Sequence, residues 1–157
     1  MSKIKDPKLD VLAFGPHPDD VEASCAGLLI KYARAGKKVG IIDMSQAELS
    51  TNGTVPLRMK EAARAAKIMG AVVRENLFLP NNAFFDSPDV QKKIVETIRR
   101  FRPEIVLMPY WIDRHPDHAA ARSLIFPALF TGGLSQYKTG QAPHRPKYVF
   151  FYRIWYE

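Results

Sequence analysis

The sequence predicts an α/β fold: a Rossmann-like, doubly wound, mainly parallel sheet with helices on both faces and strand order 3-2-1-4-5. Two observations carry this expectation. Short apolar runs alternate with amphipathic stretches of helix length along the whole chain, the pattern of βαβ units. A tetrapeptide also nearly repeats, His17-Pro18-Asp19-Asp20 and His115-Pro116-Asp117-His118. Each copy follows an apolar run and precedes a helix-like stretch, so both fall on strand-to-helix turns.

Leu9 to Phe14 is a short apolar run and reads as the first strand. Val21 to Ala35 reads as the first helix, with Val21, Cys25, Leu28, Leu29 and Tyr32 at helical spacing and Gly36 as its stop. Val39 to Met44 is the second strand. Pro56 to Met69 is the second helix, with proline at its start and Gly70 past its end. Asn76 to Leu79 is expected as the third strand, stopped by Pro80. Asp89 to Phe101 is the third helix, with Val90, Ile94, Val95 and Ile98 on one face. Ile105 to Met108 is the fourth strand, Ala119 to Phe130 the fourth helix, and Tyr148 to Ile154 an aromatic fifth strand. The loop from Ser135 to Pro146 reads as a surface connection.

No composition shift or low-complexity tract divides the chain, so residues 1–157 are expected to form one domain, long enough to bury a core. Hydrophobic residues make up 46% and charged residues 25%, ordinary for a soluble globular protein. No apolar run approaches the ~20 residues of a membrane span, and the polar start Met1 to Asp6 has no signal-peptide core, so no membrane partner is expected. The single cysteine, Cys25, excludes an intrachain disulfide and suits a reducing cytoplasm. The net charge of +7 invites a nucleic-acid reading. However, the cations are scattered among acids, and the tightest cluster, Arg99-Arg100-Phe101-Arg102, ends a helix where cations suit the dipole. No nucleic-acid partner is expected.

In a sheet of order 3-2-1-4-5 the first and fourth strands are neighbours at the switch point, where ligands bind beyond the carboxyl ends of the strands. The two tetrapeptides follow those two strands and should therefore meet. Three of the four histidines would gather there with adjacent carboxylates. Imidazole and carboxylate are ligands of a divalent zinc-like ion, and a spare carboxylate supplies the base that hydrolysis needs. Singly, Asp19, Asp20 and Asp117 could equally be helix caps. Asp19 and Asp20 diverge from one turn, so one can ligate metal while the other faces substrate. A second histidine can stabilise an oxyanion.

Other residues are weaker candidates. Asp43 closes the second strand where dinucleotide folds carry a ribose-binding acid, but Gly15 to Asp20 lacks the phosphate-binding glycine pattern, so no nicotinamide cofactor is expected. Cys25 reads as packing and His144 as a surface residue. Ser50 to Thr54 forms a polar loop on the site side. Arg58, just beyond it, reads either as a surface cation or as a substrate clamp, and its place beside the loop favours the clamp.

Ala13 to Glu22, Ala47 to Thr54, Leu57-Arg58 and Asp113 to Ala119 together resemble the LmbE/PIG-L family of zinc-dependent N-acetylglucosaminyl deacetylases, across essentially the whole chain. Ala47 to Thr54 most resembles the bacillithiol-biosynthesis branch, which deacetylates N-acetylglucosaminyl-malate. The resemblance implies His17, Asp20 and His118 as ligands of zinc or another divalent metal such as ferrous iron, with Asp19 as general base toward an activated water. It implies His115, supported by Asp117, as stabiliser of the tetrahedral intermediate, and Arg58 and Asn52 as substrate contacts. It further implies an amino-sugar conjugate as substrate and a homo-oligomer, trimer or hexamer. Leu79-Pro80-Asn81-Asn82 stands where the family usually has Pro-Asp-Arg-Gly, so an acidic sugar contact is missing. Family members usually continue beyond this length, so the family's C-terminal portion is expected to be absent. The last strand is then expected either to be an exposed apolar edge or to be covered by the rest of a longer protein. A phosphoesterase-like metal hydrolase and a catalytically impaired sugar-binding module are the competing readings.

Overall fold

The computed structural model describes residues 6–155. The polar N-terminus through Lys5, and Tyr156 and Glu157, lie outside the described residues. The elements run β1 (Val11–Gly15), α1 (Asp20–Arg34), β2 (Val39–Asp43), α2 (Val55–Met69), β3 (Val73–Asn76), α3 (Pro88–Phe101), β4 (Ile105–Pro109), α4 (Pro116–Gly132) and β5 (Tyr148–Tyr152). They build a parallel sheet of order β3-β2-β1-β4-β5, the order the sequence predicts.

Alternation along the buried strands divides the core in two, because successive strand side chains point to opposite faces. Leu12, Phe14, Ile42, Val106 and Met108 pack against Ile94 and Ile98 of α3 and Leu124 and Ile125 of α4. Val11, Ala13, Val39, Ile41 and Leu107 pack against Val21, Cys25 and Leu29 of α1 and Met69 of α2. Each fully buried Leu, Ile or Phe contributes about 1.5–3 kcal/mol. β1, covered on both faces, is buried at all five positions, as a central parallel strand must be. Cys25 belongs to this packing, and burial pushes its thiol up to about 12.

Three expectations need correction. β3 spans Val73–Asn76 and not Asn76 to Leu79. Its Arg74 is tolerated because its guanidinium pairs with Asp43 at 2.8 Å and also with Glu22. Leu77 and Leu79 are buried, but Phe78 between them turns left-handed with φ 55°, which breaks the strand. Helix α4 begins at Pro116, three residues early, because Pro116 occupies its first turn and the His115 ring accepts the Asp117 N–H at 3.2 Å. His144 is half-buried, its ring bonded at 2.7 Å to the Pro103 carbonyl, and so is a tie between loops.

β5 ends at Tyr152 and lies at the sheet edge, where Tyr148, Phe150 and Phe151 are exposed. Among the described residues no helix is long and apolar enough to cross a membrane. The site depends on where two ladders part. β1 pairs with β2 through Gly15, but with β4 only through Ala13. Beyond Ala13 the chains diverge, and the crevice of the switch point opens. Tyr152 reaches across from β5 and donates its hydroxyl hydrogen bond to the Phe14 carbonyl at this opening.

Candidate metal centre

The turn after β1 and the turn after β4 meet at that crevice. At Gly15 an added Cβ would stand 3.0 Å from Val21 and 3.2 Å from the His17 carbonyl, so any larger residue would push the tight turn apart by a few tenths of an ångström. The turn delivers His17, Asp19 and Asp20; the other delivers His115, Asp117 and His118. None of the three aspartate side chains caps its helix. Asp19 makes no cap bond, Asp20 accepts the His17 N–H at 2.9 Å, and Asp117 turns away from α4. The capping alternative is thereby removed.

Asp20 Oδ2 lies 3.2 Å from His17 Nδ1 and 3.3 Å from His118 Nε2. A tetrahedral ion held about 2.0–2.1 Å from its ligands has donor–donor edges of about 3.3–3.4 Å. The donor spacing therefore suits a zinc-type ion. The far ring nitrogens are also backed by carboxylates: Asp117 Oδ2 is 3.0 Å from His17 Nε2, and Asp113 Oδ1 is 3.1 Å from His118 Nδ1. The Asp117 bond holds the proton on the outer nitrogen of His17 and leaves the inner lone pair for a metal, whereas Asp113 neighbours His118 Nδ1 by charge without a hydrogen bond. The ring nitrogens of His17, His115 and His118 also fall within 4.8 Å of one another. That grouping is looser, and His115 Nδ1 is already occupied by the Asp117 N–H, so the Asp20 set is the better fit.

The charges reinforce one another. Burial disfavours the charged forms of His17 and His118, but Asp20, with Asp117 and Asp113 respectively, outweighs it and raises both pKa values. Burial likewise works against ionised Asp20, yet hydrogen bonds from His118 and His17 lower it to about 2. His115 moves the other way: burial and its neighbours His118 and His17 lower its pKa. With Nδ1 accepting a backbone N–H, neutral His115 carries its proton on Nε2 and is a donor there.

A cleft of about 500 Å³ covers this centre, with Asp19, Asn52, Arg58, Asn81, His115 and Trp155 among its walls. The larger cleft, about 810 Å³ between Lys8, Lys38 and Arg102, lies at the amino ends of the strands, away from both turns. Asp19 is exposed, with 63% of its side chain accessible, and pairs with Arg58 at 3.0 Å. Arg58 also donates to Ser50 Oγ at 3.3 Å, so the expected clamp is tied to the expected base. Asn52 belongs to the same loop; its N–H donates to Ser50 Oγ.

The structure rearranges one expected pair. The Asp117 carboxylate does not reach His115; it accepts from His17, Asn81 Nδ2 and the Asn82 N–H. The sequence alone gives no role to Asp113 or Trp155, and marks Asn81 and Asn82 only as replacing an acidic sugar contact. Asp113 stands inside the second motif stretch, where the carboxylate partner of a ligand histidine is worth seeking. Asn81 and Asn82 stand where the family usually has Pro-Asp-Arg-Gly, but nothing in the sequence pairs them with Asp117.

Fold and donor set together define a Rossmann-like protein whose switch point carries a histidine–aspartate cluster able to hold a metal ion. Residues 12–129 match the PIG-L family, described as GlcNAc-PI de-N-acetylase, and the chain belongs to that family. It is 32% identical over 168 residues to a diacetylchitobiose deacetylase of Thermococcus kodakarensis, covering 96% of this chain and 63% of that protein. Among solved structures, the conserved protein TT1542 from Thermus thermophilus superposes with a TM-score of 0.88 at 39% identity, covering 92% of this chain and 66% of that one. The inhibitor-bound N,N'-diacetylchitobiose deacetylase from Pyrococcus horikoshii has the same fold, with a TM-score of 0.84 at 22% identity over 90% of this chain and 59% of that one. The chain thus spans less than two thirds of the curated relative it matches.

Proposed function

We propose that this protein is a zinc-dependent hydrolase that removes the acetyl group from an N-acetylglucosamine conjugate. The observation that carries the reading is the convergence of His17 Nδ1 and His118 Nε2 on Asp20 Oδ2, at the foot of a cleft that Asp19 and His115 also line. His17, Asp20 and His118 are the proposed ligands. A bound zinc or ferrous ion supplies a Lewis acid that activates water and polarises the acetyl carbonyl.

The chain's own groups then have distinct tasks. Asp19, exposed to the cleft and held by Arg58, takes the proton of the attacking water. His115 donates from Nε2 to the oxygen that becomes negative when the carbonyl is attacked. It need not be charged to do so, which suits its lowered pKa. The acetyl C–N bond breaks, the amine receives the proton held by Asp19, and acetate and free glucosamine conjugate leave. Asp117 acts one step back by orienting His17 through its hydrogen bond, and Asp113 neighbours His118 by charge.

For the aglycone, Arg58 in the cleft wall favours an anionic group such as malate. The second reading is neutral diacetylchitobiose, favoured by the 32% identity to a deacetylase of that name. Acetate release from N-acetylglucosaminyl-malate, from diacetylchitobiose and from free N-acetylglucosamine, with zinc or ferrous iron, tests both. Malate-conjugate turnover well above the others supports the first reading; preference for the neutral disaccharide selects the second. Release from none of them, with phosphoester hydrolysis instead, defeats the deacetylase.

A further inference from the structure

We infer that Asn81 is a positioning residue for the metal centre: its side-chain amide holds the Asp117 carboxylate against His17. This rests on the reading of His17 as a metal ligand. Asp117 Oδ2 is the meeting point of three donors, Asn81 Nδ2 at 2.7 Å, the Asn82 N–H at 2.7 Å and His17 Nε2 at 3.0 Å. Asp117 is 1% exposed, so these protein donors and not solvent set its direction.

The amide of Asn81 is itself oriented from the other side. Its Oδ1 accepts the Leu49 N–H at 3.1 Å, and its own N–H donates to Glu48 Oε1 at 2.6 Å. Turning the amide over would set Oδ1 against the Asp117 carboxylate and Nδ2 against the Leu49 N–H, two repulsive contacts in place of two bonds. The position therefore needs an acceptor on one side and a donor on the other, at one length. Asparagine supplies both. Aspartate of the same shape supplies only the acceptor and places a second carboxylate against Asp117. Alanine supplies neither.

The Asn81 amide also approaches His17 Nε2 to 3.0 Å. Two donors aimed at one carboxylate oxygen come this close to each other. The carboxylate thus keeps the imidazole proton on Nε2 and leaves Nδ1, the nitrogen facing Asp20, free to bind an ion. Asn82 assists through its backbone, which has a left-handed φ of 58° and turns its N–H onto the same oxygen.

The test measures zinc dissociation constants by chelator competition for the unsubstituted protein, Asn81→Ala and Asn81→Asp. Thermal unfolding of the metal-free forms runs in parallel. Loss of the direct partner of a ligand histidine typically weakens metal binding about 10–100-fold; Asn81 acts through that partner, so Asn81→Ala is expected at the lower end, about tenfold, and Asn81→Asp at least as much. A merely structural role would lower the unfolding temperature and leave the zinc constant in place. If Asn81→Ala does not fold, the isosteric Asn81→Asp carries the measurement. A tight zinc site unmoved within about twofold in the folded variants, against that expected loss, overturns the role of Asn81 alone. Failure of the unsubstituted protein to bind zinc overturns the metal reading and this inference with it.

Discussion

Asp20→Asn in the metal-free protein should lower stability in a pH-dependent way. Asp20 is buried, which alone would raise its pKa, but it stands between two imidazoles that lower it from 3.8 to about 2. That difference corresponds to about 2.5 kcal/mol between folded and unfolded states. The side chain is only 8% exposed, so solvent screens little of it. Because the folded pKa is depressed, the contribution is present above pH 3.8 and fades as pH falls toward 2. The raised pKa values of His17 and His118 act oppositely: their contribution is full below 6.5 and fades as pH rises through the folded values. All the charges coexist between about pH 4 and 6.5. Asparagine keeps the shape but not the charge. Chelator-treated Asp20→Asn should therefore unfold about 5–10 °C below the unsubstituted protein near pH 5, using about 2–4 °C per kcal/mol for this chain length. The deficit should shrink as pH rises through the raised pKa values of His17 and His118 and the imidazoles lose their charge. Zinc at about 100 times its dissociation constant should then add about 2.7 kcal/mol to the unsubstituted protein and little to the variant. Calorimetry reads both effects. A deficit equal at the acidic and the alkaline pH, or absent at the acidic one, would refute the charge network.

His118→Ala should lose most bound metal, since it removes one of three donors; full metal content by elemental analysis would defeat the ligand assignment. Asp19→Asn should keep its metal and lose about 10²–10⁴-fold in rate, the scale for a general base. Loss of metal would make Asp19 a ligand, and near-normal rates would remove it from the reaction. Arg58→Ala should raise KM for the malate conjugate more than for neutral N-acetylglucosamine, and should also slow both by freeing Asp19; equal KM effects would show that Arg58 does not read the carboxylate. The exposed apolar edge at β5 should draw a second copy of the chain, so light scattering at micromolar concentration should exceed the 17.8 kDa of one chain. A stable particle of that mass would argue against it.

The order of the sheet and the meeting of the two motifs were legible because each depends on local pattern. β1 and β4 are buried on both faces and read as unbroken apolar runs, and their turns carry the histidines. β3 was not legible. Val73-Arg74-Glu75-Asn76 looks polar, and what permits it, Asp43 and Glu22 around Arg74, comes from other elements. The apolar Leu77-Phe78-Leu79 was the natural misreading. Likewise, adjacency in sequence suggested that Asp117 serves His115, whereas its carboxylate is claimed by His17, 100 residues away. The place of Asn81 in a family motif pointed toward sugar and not toward Asp117, since its partners, Glu48, Leu49 and Asp117, assemble only in the folded chain.

The hydroxyl of Tyr152 on the Phe14 carbonyl bears on how the molecule comes into being. All three proposed ligands have been synthesised once His118 is made, yet the backbone just before the first motif acquires this partner only after β5 has been added. The bond joins residues 138 positions apart, and such distant closures come late because chain entropy must be overcome first. A nascent chain halted before Tyr152 would hold every ligand while its first turn still lacked that anchor. The backbone that leads into the first motif would thus gain its last partner only with β5, after every proposed ligand is already in the chain.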